Sequence, residues 1–166
     1  IRDRWHTGRE TKFKVFGPKG LKSHFDKVFE AYKEELDLRK EWEKRPNVEG
    51  LAYEITEIND ELKIELDNAT IESVKVDHHP VDPAFGYKFI LGPKNIIFSG
   101  DTRYCEVLEK SSKDADILVH EVFVGLDYDP VRMSSDTIEN ISDYHTTPEE
   151  IGVLASNASV KKLVLN

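Results

Sequence analysis

The sequence has little of what marks secreted, membrane-spanning or nucleic-acid-binding proteins. A single cysteine, Cys105, excludes an internal disulfide framework and suits a reducing compartment. No apolar run approaches the roughly 20 residues of a membrane span. The formal net charge is -9, which disfavours a nucleic-acid partner bound through its phosphates. We therefore expect a cytoplasmic protein without membrane attachment. Because the chain begins at Ile1 and not at a methionine, we also expect that residues preceding it are missing.

The spacing of apolar residues changes along the first half of the chain. Residues 12–16 alternate between polar and apolar, which predicts a strand. Apolar residues recur at helical spacing over 21–42 and predict one amphipathic surface helix. From Leu51 apolar and polar residues alternate with a period of two, so we predict that 51–58 and 61–66 are strands that pair as a hairpin.

The second half alternates strands with helices. A strand is predicted at 71–76, a hairpin at 86–91 with 95–99, further strands at 117–119 and 160–165, and helices at 103–111 and after Thr147. The stretch 125–143 is polar and irregular, with room for a short helix. Thr147 and Glu150 form a capping-box pattern, and 160–165 is apolar enough to predict a buried strand. This order predicts the α/β class, a sheet covered by helices.

Residues with catalytic or ligating chemistry follow the predicted strands. His78 and His79 come after one strand, Asp101 after the next, Glu121 after a third, and His145 precedes the capping box. Taken singly, each has a structural explanation, such as a hydrogen-bonded loop histidine or, for Asp101, a helix N-cap. Their recurrence at strand ends predicts that they converge at one edge of the fold. Imidazole and carboxylate together suit Zn²⁺, Mn²⁺ or Fe, although two ligands are too few for a closed site.

Six segments, taken in order, resemble the metallo-β-lactamase superfamily, especially its tRNase Z and arylsulfatase-like branches. They are VFGP at 15–18, VDHHPV at 76–81 with AFGY at 84–87, FSGDTR at 98–103, ADILVHE at 115–121, HTTPEE at 145–150 and KLVLN at 162–166. Together they span essentially the whole chain. The resemblance implies an αββα sandwich of which 1–166 is a single partial domain, the C-terminal half.

The resemblance also implies a site for two divalent metal ions, commonly Zn²⁺. It assigns His78 as the single histidine ligand, with His79 as the alternative, and Asp101 as the bridging carboxylate. An HxHxDH motif is expected before Ile1 and a final histidine after Asn166, so the metal site in this chain is expected to be incomplete and the fragment inactive.

In the tRNase Z branch a glutamate and a histidine assist the leaving group, and these match Glu121 and His145. The resemblance therefore implies a metal-dependent hydrolase that cleaves a phosphodiester, sulfate or other ester through a metal-bound hydroxide. A tRNA 3′-processing endonuclease is one alternative, but 79–100 has room only for a hairpin and not for a tRNA-binding arm, and the chain is acidic. A non-catalytic binding or scaffold module is the other. We expect self-association, or pairing with the missing N-terminal half, through an exposed sheet face.

Overall fold

The computed structural model describes residues 1–45, 47–125 and 133–166. The chain divides into two units, Ile1–Asn59 and Asp60–Asn166. Each unit has a hydrophobic cluster of its own. None of the helices in the described ranges is long and apolar enough to cross a bilayer.

The first unit combines three helices with a two-stranded parallel sheet. Its elements are α1 (Arg2–His6), β1 (Phe13–Pro18), α2 (Leu21–Ala31), α3 (Lys33–Glu43), a short 3₁₀ helix (Val48–Leu51) and β2 (Tyr53–Ile58). The two strands pair from Phe13 with Tyr53 to Pro18 with Ile58. The buried side chains of Trp5, Leu36 and Leu51 form the cluster of this unit, with Phe29 packed against it.

Two predictions for this region are wrong. The predicted single helix over 21–42 is broken at Tyr32, where φ is -94° and ψ is 3°. Only one residue leaves helical geometry, so the helical spacing of apolar residues continues across the break. The spacing alone therefore does not reveal that there are two helices. Likewise, 51–58 and 61–66 do not form a hairpin, since β2 pairs in parallel with β1. The later strand, β3 (Lys63–Leu66), instead pairs with β4 (Ala69–His78) across a two-residue connection, and such a short loop has little closure entropy to overcome.

The second unit is built around a six-stranded sheet of order β3-β4-β5-β6-β7-β8. After β4 come β5 (Val81–Leu91), β6 (Lys94–Phe98), α4 (Glu106–Ser111), β7 (Ile117–His120), α5 (Ser135–Ser142), α6 (Pro148–Asn157) and β8 (Leu163–Leu165). The strands β3 to β6 are antiparallel, whereas β6, β7 and β8 are parallel. Helices connect the parallel strands, as such pairing requires.

Most elements predicted for this unit are confirmed: the strand at 71–76, the hairpin of β5 with β6, the strand at 117–119 and the capped helix α6. Val74 and Val76 face the core together with Ile97, Leu108 and Leu118. The α/β class is confirmed as well, because helices α4 and α6 join strands of one sheet.

Two details differ from the sequence prediction. The last strand is exposed, with relative accessibilities of 36 % to 53 %, because β8 has only β7 as a neighbour in the described sheet. The helix predicted at 103–111 begins only at Glu106, with Cys105 as its N-cap. The short helix for which the stretch 125–143 has room is present as α5, while 126–132 lie outside the described residues.

Candidate functional site

His78 ends strand β4 with its imidazole held in a defined orientation. Its Nδ1 lies 2.9 Å from the backbone oxygen of Tyr144. A carbonyl can only accept a hydrogen bond, so Nδ1 carries the proton and the lone pair is on Nε2. The His78 ring lies 5.2 Å from the ring of His145, centroid to centroid, at an interplanar angle of 62°. The two imidazoles, which are separated by 66 residues in sequence, are therefore direct neighbours.

His145 in turn lies beside Glu121. Its Nδ1 is 3.2 Å from Oε1 of Glu121, which is ion-pair distance, although the ring N–H is not aligned for a hydrogen bond. Phe123 stacks on the imidazole at 5.8 Å with an interplanar angle of 15°, and the ring of Tyr144 lies 4.8 Å away. Aromatic rings thus restrict how far the imidazole can rotate from the carboxylate.

Glu121 directly follows β7 and is only 8 % exposed. Besides its contact with His145, its Oε1 accepts hydrogen bonds from the backbone N–H groups of Thr102 (3.2 Å) and Thr146 (3.0 Å). The backbone N–H of Glu121 donates to Oγ of Ser99. This carboxylate therefore joins the loop after β6 to the loop before α6.

Asp101 lies in the loop after β6, and its side chain is exposed. The turn depends on Gly100, which has φ of +64° and whose Cβ, if present, would come within 2.5 Å of the Phe85 backbone oxygen. Asp101 does not cap α4, whose N-cap is Cys105, so the simple structural explanation for this aspartate fails. Within the described ranges its carboxylate has neither a hydrogen bond nor an ion pair, and only its neighbour Thr102 joins the network around Glu121.

His79, the alternative to His78, is exposed and contributes backbone groups to the local contacts. Its N–H donates to Asp77 and its carbonyl accepts from Arg103. The ring beside His145 is thus that of His78. Which of the two histidines ligates a metal stays a prediction, as do the roles of the other site residues.

His120 precedes Glu121 but is fully buried. Its Nδ1 donates to the backbone oxygen of Glu121 at 2.7 Å, and its Nε2 has no hydrogen-bond partner in the part of the chain that the structure describes. Burial lowers the pKa of His120, while the Glu121 carbonyl and carboxylate act in the opposite direction. Burial thus favours the neutral form of this core histidine.

The donors fit a divalent metal in kind but not in number. His78 offers a free Nε2, and Asp101 offers an exposed carboxylate, both of which are normal ligands of Zn²⁺. A zinc site has three or four protein ligands, and the described residues contain no group of three or more His, Cys, Asp or Glu side chains that could hold an ion. A complete site would need ligands from outside the described residues.

Four residues around this site were missed at the sequence level: Thr102, Arg103, Tyr144 and Thr146. Arg103 is near the carboxylates of Asp77 (3.7 Å) and Asp143 (3.5 Å) and also bonds the His79 carbonyl. Tyr144 orients His78 through its carbonyl. Each of the four is adjacent in sequence to a predicted site residue or one position further on. Thr102, Arg103 and Thr146 also lie within the segments FSGDTR and HTTPEE that carry the family resemblance, whereas Tyr144 does not.

Comparison with known proteins gives consistent matches. Residues 1–166 match the family described as Beta-lactamase superfamily domain. The chain is 31 % identical over 99 residues to ribonuclease Z of Mycobacterium tuberculosis strain H37Rv, covering 60 % of this chain and 36 % of that protein. It is 26 % identical over 151 residues to ribonuclease Z of Mycobacterium marinum, covering 91 % and 53 %. The chain thus spans about a third to a half of the length of these relatives.

Solved structures share the fold. The metallo-β-lactamase fold protein YhfI from Bacillus subtilis superposes with a TM-score of 0.65 at 17 % identity, covering 99 % of this chain and 56 % of that one. The short form of human tRNase Z superposes with a TM-score of 0.64 at 17 % identity, covering 94 % and 61 %. At this identity the two structures establish the fold alone.

Proposed function

The chain belongs to the family of beta-lactamase superfamily domains, which have the metallo-β-lactamase fold, and from this premise we propose that it is part of a metal-dependent hydrolase that cleaves a phosphodiester, a sulfate or another ester. The observation that carries the proposal is the Glu121–His145 pair, which lies next to the imidazole of His78. The relatives named ribonuclease Z support a hydrolytic reaction.

In this proposal His78 and Asp101 would hold metal, together with ligands from outside the described residues. Divalent metal, when bound, would activate a water molecule as a nucleophile near neutral pH. The residues of this chain would act on the leaving group. His145 would donate a proton to the departing oxygen, and the Glu121 carboxylate, 3.2 Å from Nδ1, would stabilise the imidazolium before the transfer.

The test is hydrolysis by the full-length protein loaded with Zn²⁺ or Mn²⁺, with aryl and alkyl phosphodiesters and aryl sulfates as substrates. Replacing His145 with Asn should lower kcat at least about 100-fold, the usual contribution of a general acid. The loss should be larger for alkyl than for p-nitrophenyl leaving groups, because a p-nitrophenolate needs little protonation. Glu121→Gln should also lower kcat more for alkyl than for p-nitrophenyl leaving groups, but by a smaller factor than His145→Asn.

The matched control is His24→Asn, which removes an exposed histidine of the first unit and should leave kcat unchanged. Equal losses for good and poor leaving groups in His145→Asn would contradict the assignment to the leaving group. No hydrolysis of any ester by the metal-loaded full-length protein would instead favour a non-catalytic binding or scaffold module.

A tRNA 3′-processing endonuclease is the second candidate, and it is favoured by the ribonuclease Z relatives. Against it stand the net charge of -9 and the segment between His78 and Asp101, which consists of the plain β5–β6 hairpin. Cleavage of a precursor tRNA with a 3′ trailer, at a rate that falls steeply with salt, would favour this candidate over a small ester.

A further inference from the structure

We infer that Thr102 and Thr146 are positioning residues. Their buried hydroxyls bind the loop that carries Asp101 to the loop that carries His145 and to the end of β4, and their backbone N–H groups hold both loops on Glu121. The inference rests on the proposed function for the roles of Glu121 and His145. It adds to that function the residues that fix where these side chains lie.

The two threonines form a closed network behind the site. Both are fully buried. Oγ1 of Thr146 donates to the backbone oxygen of Thr102 at 2.5 Å, so the two loops are bonded to each other directly. The backbone N–H groups of both residues donate to the same atom, Oε1 of Glu121. The carboxylate, the loop after β6 and the loop before α6 thus fix one another.

The network extends to the end of β4. Oγ1 of Thr102 lies 3.0 Å from the backbone oxygen of Asp77 and 2.7 Å from that of Arg103, so its one proton is shared between two carbonyls. The backbone N–H of Arg103 donates to the Asp77 oxygen as well, at 2.8 Å. Because Asp77 directly precedes His78, the two hydroxyls connect the segments of His78, Asp101 and His145. The backbone N–H groups of the two threonines connect the Glu121 side chain to them.

The chemistry of this network requires hydroxyl groups and not merely side chains of this shape. Valine is nearly isosteric with threonine, but a valine at 146 would leave the buried Thr102 carbonyl without its short hydrogen bond. A buried acceptor left unpaired costs more than a typical hydrogen bond contributes, so the loop would move to solvate it. Movement of that loop would displace His145 from Glu121, and displacements of about 1 Å at a reacting group are known to matter.

The experiment uses the full 166-residue chain with ¹⁵N-labelled histidine and no metal or substrate. In Thr146→Val the ring ¹⁵N resonances of His145 and His78 should shift, whereas Thr146→Ser, which keeps the hydroxyl, should restore them. Ser112→Ala is the matched control, because Ser112 is equally buried but its hydroxyl has no partner in the described part of the chain. Its histidine resonances should match those of the unmodified chain.

Unchanged His145 and His78 resonances in a folded Thr146→Val chain would overturn the inference, even if the protein were less stable, because a merely structural threonine lowers stability without moving the site. If Thr146→Val does not fold, amide exchange in the unmodified chain decides. The Thr102 and Thr146 amides should exchange at least about fivefold more slowly than exposed loop amides, the equivalent of one net hydrogen bond. Exchange as fast as that of exposed loops would also overturn it. Neither readout requires activity, so a failure of the proposed hydrolase function would leave both results interpretable.

Discussion

His120 is a titratable residue whose buried position makes the stability of the fold depend on pH. Burial lowers the pKa of its imidazole in the folded state below the ordinary value of 6.5. Well above pH 6.5 the ring is neutral in both the folded and the unfolded chain, so it contributes no pH dependence there. As the pH falls below this value, the unfolded chain takes up a proton first, so the free energy of unfolding decreases until the folded pKa is passed.

We expect His120→Asn to flatten this dependence, because asparagine can still donate to the Glu121 carbonyl but does not titrate. The two proteins should differ in the slope of unfolding free energy against pH, between pH 6.5 and 5, by at most one proton, about 1.4 kcal/mol per pH unit. Urea denaturation at several pH values measures the slope. Parallel curves for the two proteins would show that His120 does not titrate abnormally in the fold.

Single residues also show how far sequence reasoning extends into the site. His78, Glu121 and His145 lie together, as expected for polar residues that follow strands or precede a capped helix. Thr102 and Thr146 could not be found in this way. Their partners are backbone carbonyls and a carboxylate from distant segments. The sequence does not distinguish a loop threonine that is exposed to solvent from one that is buried.

Among the secondary-structure elements, helix α6 is the one whose N-terminus is specified by its own capping box. Substitution of the capping residue therefore tests directly how much this local signal stabilises the helix. Oγ1 of Thr147 accepts from the Glu150 backbone N–H, and the Glu150 carboxylate accepts from the Thr147 backbone N–H at 2.9 Å. Thr147→Ala should lower the free energy of unfolding by about 1 kcal/mol, the usual loss for an N-cap. Thr147→Ser, which keeps the cap, should cost only a few tenths of a kcal/mol. Thermal or urea unfolding checks both, and equal losses for alanine and serine would contradict a capping role.

The elements that were predicted correctly are those specified by their own residues. The capping box before α6 and the β5–β6 hairpin across Gly92-Pro93 need no information from elsewhere in the chain. The failures are of another kind. Strand β2 has the alternating pattern of a hairpin partner for β3, but the choice between β3 and β1 is made by packing in the folded chain. Alternation of apolar and polar residues indicates that one face of a strand is buried, but it does not indicate which strand is the pairing partner.

On the scale of the whole molecule, the α/β class could be predicted but the division at Asn59 could not. Both units contain strands and amphipathic helices, so the pattern of predicted elements does not mark the boundary. The clusters around Trp5 and around Leu118 share no residues, which is a property of three-dimensional contacts. The order of strands β6, β7 and β8 likewise follows from the helical crossovers α4 and α6 and becomes predictable only once those connections are known.

The number of metal ligands is a property of the whole molecule and leads to a prediction about this chain. His78 and Asp101 are two donors, and the described residues contain no cluster of three. Since stable zinc sites have three or four protein ligands, the 166-residue chain, incubated with Zn²⁺ and passed through a desalting column, should retain well below one ion. His78→Ala and Asp101→Ala should abolish any weak binding that titration detects, whereas His24→Ala should not. Close to two ions per chain, retained by a species that mass measurement shows to be monomeric, would mean that the chain holds a complete site and that the ligand count is wrong. Retention only by a dimer would mean that a second copy supplies the missing ligands, because each copy contributes the same two donors.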